Sequence, residues 1–157
     1  MFFFTPNLII FDSSEYPWEI LPKIKEQVSR LVTEGIPGFT EYAPGILVGE
    51  NVKIAATATI EPPAIIGHGT EIRPGAYLRG NVITGENCVI GNSTELKNVI
   101  LFDGVQVPHY NYVGDSILGY KSHMGAGSIT SNVKSDKTLV VIHGHENIET
   151  GQKKVGA

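Results

Sequence analysis

Large apolar residues recur along this chain with two different periods. From Ser14 to about Glu34, the residues Ile20, Leu21, Ile24, Val28, Leu31 and Val32 fall three and four apart, which gathers them on one face of an amphipathic helix. Ser13 or Ser14 is placed to cap it, and Pro17 stands in the first turn, where its missing N–H costs little. Pro22 demands an early start or a kink. Gly35, Ile36, Pro37 and Gly38 end the run. Such a helix is expected to pack on the rest of the body or on a neighbouring subunit.

After the helix the period becomes six. Every sixth residue from Val48 reads Val48, Ile54, Ile60, Ile66, Ile72, Leu78, Thr84, Ile90, Leu96, Phe102, and only Thr84 breaks the large apolar series. Four places after each stand Val52, Ala58, Ala64, Thr70, Ala76, Val82, Cys88, Thr94 and Ile100, all small except the last. A six-residue period matches neither an α-helix nor a plain strand. It fits a three-sided prism with one short strand and one turn per hexapeptide, the large residue on the axis and the small one in the corner. Single coils cannot bury their own core, so coils must stack. The predicted fold is mainly β: a left-handed parallel β-helix, a hexapeptide-repeat solenoid clearest from about Val48 to Asn132. Residues 1–40 form the N-terminal helical segment and residues 41–157 the β-helix domain.

The hexapeptide frame slips after Phe102 and resumes one residue early at Val113, then Leu118 and Met124. Asp103 to Tyr112 is therefore expected to be an irregular stretch on a rigid scaffold, the sort of place where binding and catalytic groups sit. From Lys137 the run TLVVIHGHENIET reads as a hairpin around Gly144. Lys154 to Ala157 resemble the start of another coil, so a fragment truncated at its C-terminus is expected.

Composition narrows the classes. A formal net charge of −4 argues against a general nucleic-acid binder. With 41% hydrophobic and 18% charged residues a packed core is expected rather than disorder. The single cysteine, Cys88, can form no internal disulfide, which fits a reducing cytoplasm. The apolar opening MFFFTPNLIIF lacks a basic flank and is broken by Pro6 and Asn7, so neither a signal peptide nor a membrane span is expected.

Four segments carry chemistry: RPGA at Arg73–Ala76, GNSTELKN at Gly91–Asn98, HYNYVGDSILG at His109–Gly119 and GAGSITSN at Gly125–Asn132. In this order they resemble the acetyltransferase half of the bifunctional bacterial enzyme that acetylates glucosamine-1-phosphate and then uridylylates it, within the hexapeptide-repeat acyltransferase family. The resemblance implies that His109 is the general base that takes a proton from the sugar amine as it attacks acetyl-CoA. It implies that Arg73 and Lys97 hold the sugar phosphate and that Tyr112 and Asn132 contact the sugar. At Ala126 a backbone amide would meet the thioester oxygen. Glu95 and Lys137 match the family pattern more loosely. The residue types suit the roles: imidazole titrates near ~6.5, a backbone N–H stabilises an oxyanion, and Arg with Lys suits phosphate. His123 stands where the family has asparagine and Val133 where it usually has tyrosine. Both positions lie near the amino sugar, so His123 is a substrate-binding candidate that bears on acceptor identity. The nucleotide-binding half of that enzyme has no counterpart in this sequence, and uridyl transfer is not expected.

The resemblance further implies acetyl-CoA as co-substrate, no metal in the transfer, and a homotrimer with neither nucleic-acid nor membrane partner. Two other readings use the same scaffold. One is a non-catalytic trimerisation or sugar-phosphate-binding module. The other is a zinc carbonic-anhydrase-like enzyme, but no two of His68, His109, His123, His143 and His145 have the five-residue separation of that site, and only His143 and His145 share a strand face. Taken from the residues alone, His109 after a proline is also readable as a plain loop residue, and Lys97, one place past an inward leucine, as a solvated lysine.

Overall fold

The computed structural model describes residue 11 and residues 14–130 and 133–156. Pro17–Lys23 form a 3-10 helix that passes into α1, Ile24–Glu34. The expected single helix is thus two pieces, and Pro22, which has no backbone N–H to donate along a helix, stands just before the join. Ser14 does not cap it. The Glu19 carboxylate instead accepts from the backbone N–H of Glu15 at 3.0 Å and of Tyr16 at 3.4 Å. Ser13 lies outside the described residues. Gly35, at φ +77°, closes α1 by donating to Leu31 O at 3.0 Å.

The body is a parallel β-solenoid with three faces. Face I stacks β2 (Ile46–Val48), β5 (Ala64–Ile66), β8 (Val82–Thr84) and the second halves of β10 (Glu95–Leu101) and β12 (Tyr112–Leu118). Face II stacks β3 (Lys53–Ile54), β6 (Glu71–Ile72), β9 (Val89–Asn92) and β11 (Gln106–His109). Face III stacks β4 (Thr59–Glu61), β7 (Tyr77–Arg79) and the first halves of β10 and β12. An antiparallel strand, β1 (Thr40–Ala43), covers the open edge of β2 and removes an exposed pairing template there. The expected hairpin is β13 (Val141–His143) paired with β14 (Asn147–Glu149).

The axis is filled as the six-residue period predicts as far as Leu96. Ile66, Ile72, Leu78, Ile90 and Leu96 are buried, with Ala64, Ala76 and Cys88 in the corners beside them. Thr84 is the polar exception on the axis, and its Oγ1 accepts the N–H of Gly67 at 3.0 Å. Corner threonines are satisfied in the same way: Thr70 donates to Gly85 O and Thr94 to Val107 O, both at 3.0 Å.

Beyond Leu96 the structure corrects the frame. The next axial residue is Leu101, fully buried, rather than Phe102, which is half-buried on the outer side. Early coils repeat every eighteen residues (Ala64↔Val82, Leu78↔Leu96) and later ones every seventeen (Val82↔Val99, Leu96↔Val113). The missing residue is at one corner. Leu78 and Val82 are separated by Arg79, Gly80 and Asn81, whereas Leu96 and Val99 are separated by Lys97 and Asn98 alone, with Asn98 at φ +55° making the turn inside β10. Asp115, at φ +47°, does the same inside β12. Two expectations fall with this. Val99, not Ile100, takes the corner, so the one oversized corner residue disappears. Asp103 to Tyr112 is not irregular: Val105 is fully buried in the corner above Cys88, Val107 is fully buried on the axis, and β11 pairs with β9 in regular register.

Ile100 instead joins a row that points outward from face I, formed by Leu47, Ile65, Ile83 and Ile100, against which Ile20, Leu21, Ile24 and Val28 pack. Each strand of this face is three residues long, so its central side chain faces away from the axis and needs a cover. Fully burying each aliphatic side chain contributes roughly 1.5–3 kcal/mol, which fixes the helix to this face.

After Thr130 the chain leaves the solenoid near the III–I corner, forms the hairpin and returns. Gly156 N–H then bonds Asp115 O at 2.8 Å, as Val99 N–H bonds Asn81 O at 3.0 Å one coil earlier. Gly156 thereby continues the corner column Ala64, Val82, Val99, Ser116, and the coil-like look of the last residues has a structural basis.

Leu101→Ala is expected to destabilise the fold by about 2–5 kcal/mol, read as a lowered urea midpoint; a neutral result would place Leu101 outside the core. Burial pushes the Cys88 thiol up to about 11. It is therefore protonated throughout the neutral range, and a thiol reagent at pH 8 should label it only on unfolding.

Candidate functional site

The turns between faces II and III run in register down one edge of the prism. Pro74, Asn92, His109 and Ala126 occupy the same place in successive turns, with β9 and β11 registering His109 on Asn92 and Gly127 N–H donating to His109 O at 3.0 Å. The edge therefore brings His109 and Ala126 together in adjacent coils. Arg73 opens the turn two coils earlier on this edge. Gly91 must lack a side chain here, because a Cβ would run into the Pro108 carbonyl.

His109 is exposed at the end of β11, and its Nδ1 lies 3.2 Å from Asn92 Oδ1. Its backbone is held on two sides: the N–H donates to Asn111 Oδ1 at 3.1 Å, and the carbonyl accepts from the following coil. Asn111, only 2% exposed, donates through Nδ2 to Gly125 O at 2.8 Å and Ser128 O at 3.2 Å. One corner amide thus ties the histidine turn to the GAG turn. Tyr110 is in the left-handed region at φ +51° and 66% exposed.

Tyr112 begins the face III part of β12, and its ring covers Gly114, where a Cβ would collide with the Tyr112 hydroxyl. His123 bridges to Gln106 on face II, exposed, one coil below β11. Asn132 lies outside the described residues. Glu95 is committed to Arg79 at 2.6 Å, and Tyr77 donates to Glu61 at 2.6 Å, so an ordered polar ladder runs along face III. The bond to Glu61 raises the phenol pKa of Tyr77, and the Glu95 carboxylate raises that of Arg79.

The two basic candidates are placed differently. Arg73 pairs with Glu71, Nε to Oε1 at 3.2 Å, both side chains being roughly one-third exposed or more. Lys97 is at the far end of face III from the histidine edge, and its Nζ meets Asp115 Oδ2 at 3.2 Å. Asp115 is 5% exposed and also accepts from Asn98 Nδ2 at 2.9 Å. Asn98 and Asp115 border a 340 Å³ cleft on the III–I edge, together with Leu21, Pro22, Gln152, Lys153 and Lys154. Lys97 is thus brought to this second edge and not to His109.

The sequence reading passed over Asn92, Asn111 and Asp115. The signal for Asn92 is its separation of seventeen residues from His109, legible only once the shorter coil is known. The histidines stand apart. His68 Nδ1 accepts the Glu50 N–H at 2.8 Å, and His143 Nδ1 lies 2.9 Å from Asn147 Oδ1. Among the described residues no group of three or more His, Cys, Asp or Glu side chains could hold a metal ion. No helix among them is long and apolar enough to cross a membrane.

The family model of the GMPPB C-terminal domain matches residues 60–150. The chain is 31% identical over 154 residues to the bifunctional protein GlmU of Methanococcus maripaludis, covering 90% of this chain and 35% of the relative. It is 36% identical over 144 residues to the same-named protein of a Nostoc species, covering 86% and 31%. It is 33% identical over 154 residues to the bifunctional sugar-1-phosphate nucleotidylyltransferase/acetyltransferase of Sulfurisphaera tokodaii, covering 90% and 36%. The chain spans about a third of the length of these relatives.

Asp115→Ala is expected to cost about 1–3 kcal/mol, because Asn98 and Lys97 lose a buried acceptor. Glu71→Ala, at the half-exposed Arg73 pair, should cost about 0–1 kcal/mol. Urea denaturation of the two variants side by side checks the order.

Proposed function

The chain belongs to the GMPPB C-terminal domain family, and from that premise we propose that it is the solenoid of an acetyl-CoA-dependent N-acetyltransferase acting on an amino-sugar phosphate of the glucosamine-1-phosphate kind. The carrying observation is the II–III edge, where an exposed His109 on a pinned backbone adjoins Ala126 of the GAG turn one coil on. The Sulfurisphaera tokodaii relative, whose name includes acetyltransferase, supports the same reading.

In the proposed reaction the uncharged sugar amine attacks the thioester carbonyl carbon of acetyl-CoA, forming the C–N bond. The His109 imidazole takes the proton from nitrogen, the Ala126 amide donates to the developing oxyanion, and the C–S bond breaks to release CoA as its thiol once protonated. Tyr112, His123 and Asn132 are proposed to contact the sugar, and Arg73 with Lys97 its phosphate, Lys97 reaching the site from the III–I edge of a neighbouring subunit. Both cations are already ion-paired, so phosphate must compete with Glu71 and Asp115. Homotrimeric assembly and a cytoplasmic setting belong to the same proposal.

The pairing of both cations also favours a second reading, a non-catalytic module, and within it one that joins subunits over one that binds the sugar phosphate. One assay separates the two. With glucosamine-1-phosphate and acetyl-CoA, the protein should release free thiol, and His109→Ala should lower kcat by about 10²–10⁴ while leaving the circular dichroism spectrum unchanged. Turnover by His109→Ala equal to wild type would remove the base assignment, and no turnover in either would leave the non-catalytic module.

A further inference from the structure

We propose that Asn92 is the positioning residue of this site: its amide oxygen holds His109 in the Nδ1–H tautomer and so leaves the Nε2 lone pair for the proton taken from the acceptor amine. The inference rests on the reading of His109 as a general base and adds a residue that acts through it.

Asn92 ends β9 and His109 ends β11, paired in parallel register one coil apart. The contact joins His109 Nδ1 to Asn92 Oδ1 at 3.2 Å. An amide oxygen only accepts, so the imidazole nitrogen facing it is the one that carries hydrogen. A neutral imidazole has one N–H and one lone pair, and a base can work only if the lone pair faces the substrate. An imidazole without a partner prefers the Nε2–H form, which would turn a donor toward the amine.

Both ends of the contact are fixed. Tyr110 N–H donates to Asn92 O at 3.0 Å, so the two turns are tied by backbone beside the side-chain bond. Asn111 holds the His109 N–H, as described above, which limits ring movement to the side-chain torsions. Asn92 is itself half-buried between Gly91 and Ser93, whose φ of +54° turns the corner immediately after it. The amide therefore reaches the ring from a rigid strand end.

Nitrogen-15 NMR of the histidine side chains in the whole chain, at a pH where the imidazoles are neutral, tests the proposal without substrate. Wild-type His109, assigned by its loss in His109→Ala, should show the Nδ1–H pattern. Asn92→Leu should move it to the Nε2–H pattern and lower kcat roughly tenfold, with KM for the amino-sugar phosphate within about twofold. Asn92→Asp, which keeps an oxygen acceptor in place, should retain Nδ1–H. An Nε2–H pattern in wild type, or an unchanged pattern in folded Asn92→Leu, would overturn the proposal. Loss of the base assignment is a separate result, read from His109→Ala activity.

Discussion

Everything in this molecule hangs on the stacking of one coil upon the next. The axial residues of a single coil have no partners within that coil, so Ile72, Leu78 and Ile90 become core only when the coils above and below are in register. The backbone ladder enforces that register. Arg73 N–H bonds Ile90 O and Tyr77 N–H bonds Thr94 O, both at 2.9 Å, and similar links continue down all three faces. A solenoid so built converts distance along the chain into position on an edge.

Loss of one residue at the III–I corner then has effects far from that corner. Without the glycine that precedes Asn81 in the earlier coil, Asn98, and afterwards Asp115, turns this corner as a single left-handed residue. Leu101 moves onto the axis, Ile100 moves out beneath α1, and β11 comes into pairing with β9 at the shorter repeat. That repeat sets His109 over Asn92. It also lines up Lys97 with a buried carboxylate at the opposite end of face III, which places a charge pair where the hairpin segment returns to the solenoid.

The edge between faces II and III and the edge between faces III and I thus differ in kind. The first is held by amides, with Asn92 and Asn111 bonding the histidine and GAG turns without any formal charge. The second is held by the Lys97–Asp115 ion pair, whose carboxylate is buried. An edge with a buried charge pair is rigid but electrostatically occupied.

Much of this was legible in the residues. The six-residue period, the small corner residues, the amphipathic helix and the hairpin around Gly144 all follow from burial and turn preferences that each residue carries locally, and the motif order pointed to the right family. The choice between Leu101 and Phe102 was not legible, because both are large and apolar and only the coil below decides which one has axial neighbours. Nor were the pairings of Asn92 with His109 and of Lys97 with Asp115. They join residues seventeen and eighteen apart in sequence, and hydrogen bonds at 3.2 Å depend on register to within a single residue. Sequence by itself determined that coils form and what fills them; the stacking of those coils decided which side chains meet, since a one-residue slip changes every neighbour while leaving hydrophobicity almost unaltered.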